Sequence, residues 1–220
     1  MLKLIIGNKV YSSWSLRGWL AVRQSGLPFE EVVLPLYDAA WDERRQADDL
    51  APSGGKVPIL WDGDVPVWDS LAIIDHLDEA TGGTRFWPAD KAARAMARSM
   101  AAEMHSSYLP LRRAHCMNMR HNYPPVDPDA EVRENIARIM TLWNSARSRF
   151  GAGAPYLFGA FGAADIMFAP VVSRFITYGL PVEPFARDYM QAITDHPFMQ
   201  EWTNAAMQEE WIIDRFELNP

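Results

Sequence analysis

The sequence has one cysteine, no dense Lys/Arg run and no long apolar run. Cys116 by itself can form neither an intrachain disulfide nor a C-x-x-C redox pair, and a reducing compartment is the simpler reading. Arg44-Arg45 and Arg112-Arg113 are isolated pairs in a chain of formal net charge −7. Nucleic acid and anionic membranes both demand concentrated positive charge, so neither is an expected partner. The run Leu4-Ile5-Ile6 after Met1-Leu2-Lys3 is too short for a signal-peptide core, and no stretch approaches transmembrane length. A cytoplasmic location is therefore expected. His115, Cys116 and His121 lack metal-ligand spacing, so no metal is assigned.

What is present has the balance of a folded, soluble chain: 49% hydrophobic and 22% charged residues. A length of 220 residues fits one large domain or two small ones. Tryptophan is over-used, with 9 copies. Such rings fill a core and leave some for a ligand surface or an interface.

The hydrophobic pattern changes near residue 80. Before it, residues 2–6 read as a buried strand, and SWSLRGWLAVRQSG as a helix stopped by Gly26. Phe29–Leu34 reads as a second strand, and residues 38–50 as a loose helix. Val57–Trp61 and Val65–Trp68 read as two strands joined through Asp62-Gly63-Asp64, where Asp-Gly suits a type I′ turn. Ser70–Glu79 reads as a helix. The first two strands should be parallel through a right-handed crossover, with the hairpin at the other edge. Thr81-Gly82-Gly83-Thr84 then breaks the pattern. Beyond it the chain reads as helices over 90–120, 128–150, 163–178, 184–194 and 197–210.

Three short motifs carry the chemistry. Val57 is held extended by the proline that follows it. If Pro58 is cis, the Val57 N–H and C=O face outward and can pair with an extended peptide ligand; the alternative is a proline that simply starts a strand. Asp69-Ser70 heads a helix, whose free N–H groups suit a carboxylate, while Asp69 can hold an ammonium group. The alternative is an ordinary helix cap. Tyr11-Ser12-Ser13-Trp14-Ser15-Leu16-Arg17 lies between the first strand and the first helix. A serine at a positive helix end can hydrogen-bond a thiolate and lower its pKa. It can equally just cap the helix. Arg17 is expected to reach back and stabilise the loop.

YSSWSLR, KVPIL and DS, in this order, resemble the cytosolic glutathione transferases of the serine type, the zeta class above all. The resemblance extends over essentially the whole chain. It implies a glutathione transferase fold: a thioredoxin-like α/β domain over 1–80, a linker over 81–90 and an all-helical domain over 91–220. It implies glutathione as co-substrate, held by Trp14, Lys56, Val57, Pro58, Asp69 and Ser70. The thiolate stabiliser is Ser12 on the zeta pattern, or Ser13 counting back from Arg17. A homodimer and conjugation to a small apolar electrophile are also implied. Trp14 stands where the zeta pattern has cysteine, which counts against the alternative activity, a maleylacetoacetate-type cis–trans isomerase. A further alternative is an interaction protein that keeps the fold without catalysis. Gly162 replaces the usual hydroxyl residue of a capping box in the helical half, so Asp165 must cap from one side.

The electrophile pocket is expected between Trp14 and the first long helix of the second half. Met96, Met100, Met104 and Tyr108 recur there every fourth residue, a stripe that suits core packing or an adaptable apolar pocket. Met104, His105, Tyr108 and Arg112 are its candidate lining residues.

Overall fold

The computed structural model describes residues 1–218. The last two positions of the expected 91–220 domain lie outside the described residues. Strand β1 (Leu2–Gly7) leads through helix α1 (Ser13–Ser25) to β2 (Phe29–Leu34), which pairs with β1 in parallel. Gly26 closes α1 in the left-handed conformation, at φ 71, where a side chain would be strained. The short helix α2 (Trp41–Arg44) follows, and then the hairpin β3 (Ile59–Asp62) and β4 (Val65–Val67). The sheet order is β2-β1-β3-β4, with β3 antiparallel to β1. Helix α3 (Ser70–Ala80) completes this half.

Helices α4 (Lys91–Ser106), α5 (Leu109–Ala114), α6 (Ala130–Phe150), α7 (Ala163–Thr177), α8 (Pro184–Asp195) and α9 (Pro197–Ala206) form the second half. None of the described helices is long and apolar enough to cross a membrane.

Apart from Lys3, the run LKLII is apolar because both faces of β1 are covered. Leu4 and Ile6 join a core that also contains Leu16 and Leu20 of α1 and Ile73 and Leu77 of α3. Ile5, one residue out of phase, packs on the opposite face with Leu34, Trp41, Leu50 and Ile59. The first of these cores continues without a break into the helical half, through Met100, Met104, Trp143 and Phe168. Trp202 of α9 is fully buried, and its Nε1–H donates to the Lys9 carbonyl at 3.0 Å. The two halves are thus joined by shared apolar burial and by buried polar contacts.

Several expectations are corrected. The helix expected over 38–50 is confined to Trp41–Arg44 and followed by turns. The expected 90–120 helix breaks at Ser107-Tyr108, where Tyr108 has φ 63, and resumes with Pro110 in the first turn of α5. Proline lacks the N–H that a continuing helix needs, so it is tolerated only at such a start. Helix α9 ends at Ala206 rather than 210. In the hairpin, Asp62 pairs with Val65, so the two-residue turn is Gly63-Asp64. Only Gly63 of the pair is left-handed, at φ 63, which excludes the type I′ turn. Asp165 does cap α7 from one side, accepting the Gly162 N–H at 3.0 Å.

Candidate functional site

A cavity of about 760 Å³ opens between the end of the sheet and the C-terminal end of α4. Ser12, Trp14, Lys56, Val57, Pro58 and Asp69 all line it on the sheet side, and His105 lines it on the helical side. Six further aromatic or polar residues of its wall carried no motif: Tyr37, Trp41, Arg45, Ser53, Trp68 and Ser106. The surplus of tryptophan was a signal for Trp41 and Trp68 alone, and it named no position.

Ser12 is the N-cap of α1, and its Oγ accepts the Ser15 N–H at 3.3 Å. Ser13 begins the helix and turns the other way. Its Oγ accepts from Arg174 Nη2 at 3.2 Å, and it does not line the cavity. The helix therefore offers one serine of the pair to the cavity and one to the interior.

The Val57-Pro58 peptide is cis, and so is Trp68-Asp69, which nothing in the sequence announced. Strand β3 starts only at Ile59, so Val57 lies outside the ladder. Its N–H and C=O make no hydrogen bond with the described residues. Lys56 is pinned beside it by Ser53, whose Oγ bonds both the Lys56 N–H (3.0 Å) and the Lys56 carbonyl (2.6 Å). Pro58 rests on α1, where Gly18 leaves the space.

Asp69, not Ser70, caps α3. One carboxylate oxygen accepts the Leu71 N–H at 3.1 Å, and the other lies 3.1 Å from His105 Nε2. Ser70 is fully buried, with its Oγ unpartnered among the described residues, and it does not line the cavity.

The remaining pocket nominees sit behind the wall. Met104 is fully buried in the core, and Tyr108 packs there too, its hydroxyl bonded to Glu103. Arg112 stacks on Trp14, with its guanidinium carbon 4.9 Å from the ring centroid. Arg17 stacks on the same ring at 4.8 Å. Arg17 does not stabilise its own loop as expected. Its Nε donates to the Met167 carbonyl of α7 at 2.9 Å, and its two terminal nitrogens find no partner among the described residues. Burial, with Arg112 and Arg174 nearby, holds its pKa well below the ordinary arginine value; Asp69 opposes the shift. Burial likewise pushes Arg174 down to about 10. Three guanidinium groups thus gather behind Trp14 with little negative charge to offset them.

The sequence matches two family models: the N-terminal domain of glutathione S-transferase over residues 11–80 and its C-terminal domain over 112–205. The chain belongs to the glutathione S-transferase family. A glutathione S-transferase of Pseudomonas putida is 27% identical over 189 residues, 82% of each chain. A solved glutathione transferase homologue from Burkholderia, with bound glutathione, superposes with a TM-score of 0.70 at 21% identity, covering 95% of this chain and 99% of the other. A bacterial maleyl pyruvate isomerase of the zeta class gives a TM-score of 0.67 at 19% identity, covering 94% and 99%. Tau and theta class structures share the fold as well.

Proposed function

We propose that this glutathione S-transferase binds glutathione along the sheet side of the cavity and activates its thiol with Ser12. The observation that carries the reading is the convergence of Ser12, the unpaired Val57 backbone and the Asp69 cap on one cavity. Val57 pairs with the cysteinyl backbone as an added strand. Asp69 takes the γ-glutamyl ammonium, and the N–H groups at the start of α3 take its carboxylate; the Ser70 hydroxyl, buried and off the cavity, is left out of the scheme. Lys56 and Trp14 flank the peptide. The domains are 1–80 for glutathione, 81–90 as linker and 91–220 for the electrophile, within a cytoplasmic homodimer.

A hydroxyl that donates to the thiolate favours the charged form and lowers the thiol pKa; each unit is worth about 1.4 kcal/mol. The thiolate then attacks an apolar electrophile held near Trp14 and His105. A carbon–sulfur bond forms, and the leaving group departs with its electron pair. Ser13 is the weaker nominee, because its hydroxyl is engaged by Arg174 away from the cavity.

The test is the ultraviolet thiolate absorbance of bound glutathione against pH, in wild type, Ser12→Ala and Ser13→Ala. Ser12→Ala is expected to raise the thiol pKa and to slow conjugation of a chloronitroaromatic; an unchanged pKa would sink the assignment.

A second reading, a zeta-type cis–trans isomerase of maleylacetoacetate chemistry, is favoured by the cluster of buried Arg17 and Arg174 with the partly buried Arg112. None of the three lines the cavity, but the positive field behind Trp14 suits an anionic substrate better than an apolar one. Direct assay of the isomerisation separates the two. Folded protein that is not retained on immobilised glutathione would instead point to the non-catalytic interaction protein.

A further inference from the structure

Ser15 has no part in the binding scheme above, yet it is tied to Ser12 more closely than any other side chain. It is fully buried, the third residue of α1. Its Oγ lies 2.7 Å from Ser12 Oγ and accepts the Gly7 N–H at 2.9 Å. Its backbone N–H also points at Ser12 Oγ, at 3.3 Å. The pair of hydroxyls therefore bridges the end of β1 to the cavity wall.

A hydroxyl carries one proton and two acceptor sites. The hydrogen bond between the two serines can consequently run in either direction. If Ser12 donates to Ser15, its one proton is turned inward. The Ser15 proton is then left without an acceptor among the described residues, and an unpaired buried donor is costly. If Ser15 donates to Ser12, the count closes. Ser15 accepts from Gly7 and gives its proton to Ser12. Ser12 accepts from both the N–H and the O–H of Ser15, so both of its acceptor sites are filled. Its own proton then points to the one open side, the cavity.

We infer that Ser15 is a positioning residue that makes Ser12 a hydrogen-bond donor toward the cavity. Filling the acceptor sites of Ser12 also polarises its O–H bond, because hydrogen bonds in a chain strengthen one another. The inference rests on the proposed role of Ser12 and assigns the group that orients its proton. Ser15 touches neither thiol nor electrophile.

The experiment compares Ser15→Ala, Ser15→Thr, Ser12→Ala and the Ser12→Ala/Ser15→Ala double variant. Two quantities are read: the pKa of the bound glutathione thiol, from thiolate absorbance, and the affinity for S-methylglutathione, which has no thiol proton. Ser15→Ala is expected to raise the thiol pKa by about 0.5–1 unit, slowing conjugation roughly 3- to 10-fold at pH values below that pKa. Affinity for S-methylglutathione should stay within a factor of two. Ser15→Thr, which keeps the hydroxyl, should leave the pKa near wild type. In the Ser12→Ala background the Ser15 change should add nothing. If Ser15→Ala does not fold, Ser15→Cys, which fills the space with a weaker donor, is expected to show the raised pKa. An unchanged pKa in Ser15→Ala alongside a raised one in Ser12→Ala overturns the inference, as does a double variant whose pKa rises beyond that of Ser12→Ala by the full Ser15→Ala shift. If Ser12→Ala itself leaves the pKa unmoved, the role of Ser12 fails first and is recognised as the failure.

Discussion

His105 Nε2 lies 3.1 Å from Asp69 Oδ2, across the junction between α4 and the start of α3. The other oxygen of the same carboxylate caps α3 through the Leu71 N–H at 3.1 Å. One side chain thus closes a helix, contacts the helical half and faces the cavity. Being half exposed, the pair contributes little to stability. Its importance lies in where it holds the carboxylate.

Asp69→Asn keeps a cap acceptor and removes the charge. Asp69→Ala removes both. The asparagine variant should hold its urea midpoint while the KM for glutathione rises about tenfold, the equivalent of ~1.4 kcal/mol. The alanine variant should lose about 1 kcal/mol of stability in addition. Equal KM values in wild type and Asp69→Asn would remove Asp69 from the ammonium site.

Gly18→Ala tests the support beneath the cavity floor. A Cβ at Gly18 would lie 2.8 Å from both Cβ and Cγ of Pro58. Alanine in a helix ordinarily gains about 0.5–1 kcal/mol over glycine. Here the overlap costs about 1–3 kcal/mol. The net expectation is a lower melting temperature together with a several-fold higher KM for glutathione, because Pro58 carries Val57 with it. A more stable variant with unchanged KM would show that the floor yields freely.

Asp165 sets a pH dependence of stability. Burial pushes its carboxyl up to about 7, although the N–H groups of Leu157 (3.1 Å) and Gly162 (3.0 Å) favour the charged form. Its ordinary value is 3.8, so the folded state holds this proton more tightly than the unfolded chain does. The contribution is therefore fully present below the ordinary value and is lost as pH rises through about 7. Asp165→Asn cannot titrate. The urea midpoint of wild type should fall, relative to that of Asp165→Asn, between about pH 4 and pH 7. Parallel midpoints over that range would contradict the raised pKa.

The elements near the sheet were legible because their signals are local. Gly26 stops α1, the Gly63 turn joins the hairpin, and LKLII and FEEVVL extend as strands, each through contacts within a few residues or one strand pairing. The loss of strand pattern after residue 80 was legible for the same reason. Residues 38–50 and 90–120 were misread because a helical spacing of apolar residues says nothing of where the chain must turn. Tyr108 takes φ 63 although its neighbours suit a helix.

The sequence by itself determined the βα pattern, the proline at the cavity floor, the Asp69-Ser70 start of α3 and the serine pair at the start of α1. These depend on backbone geometry and on spacing along one helix. Tertiary structure alone decided which serine faces the cavity. The choice follows from where α7 docks, since Arg174 engages Ser13 from 161 residues away. It likewise turned Arg17 to the Met167 carbonyl, 150 residues distant, and moved Met104 and Tyr108 from pocket to core. A side chain's role here depends on which far surface closes over it, and hydrophobic spacing in one dimension does not encode that partner.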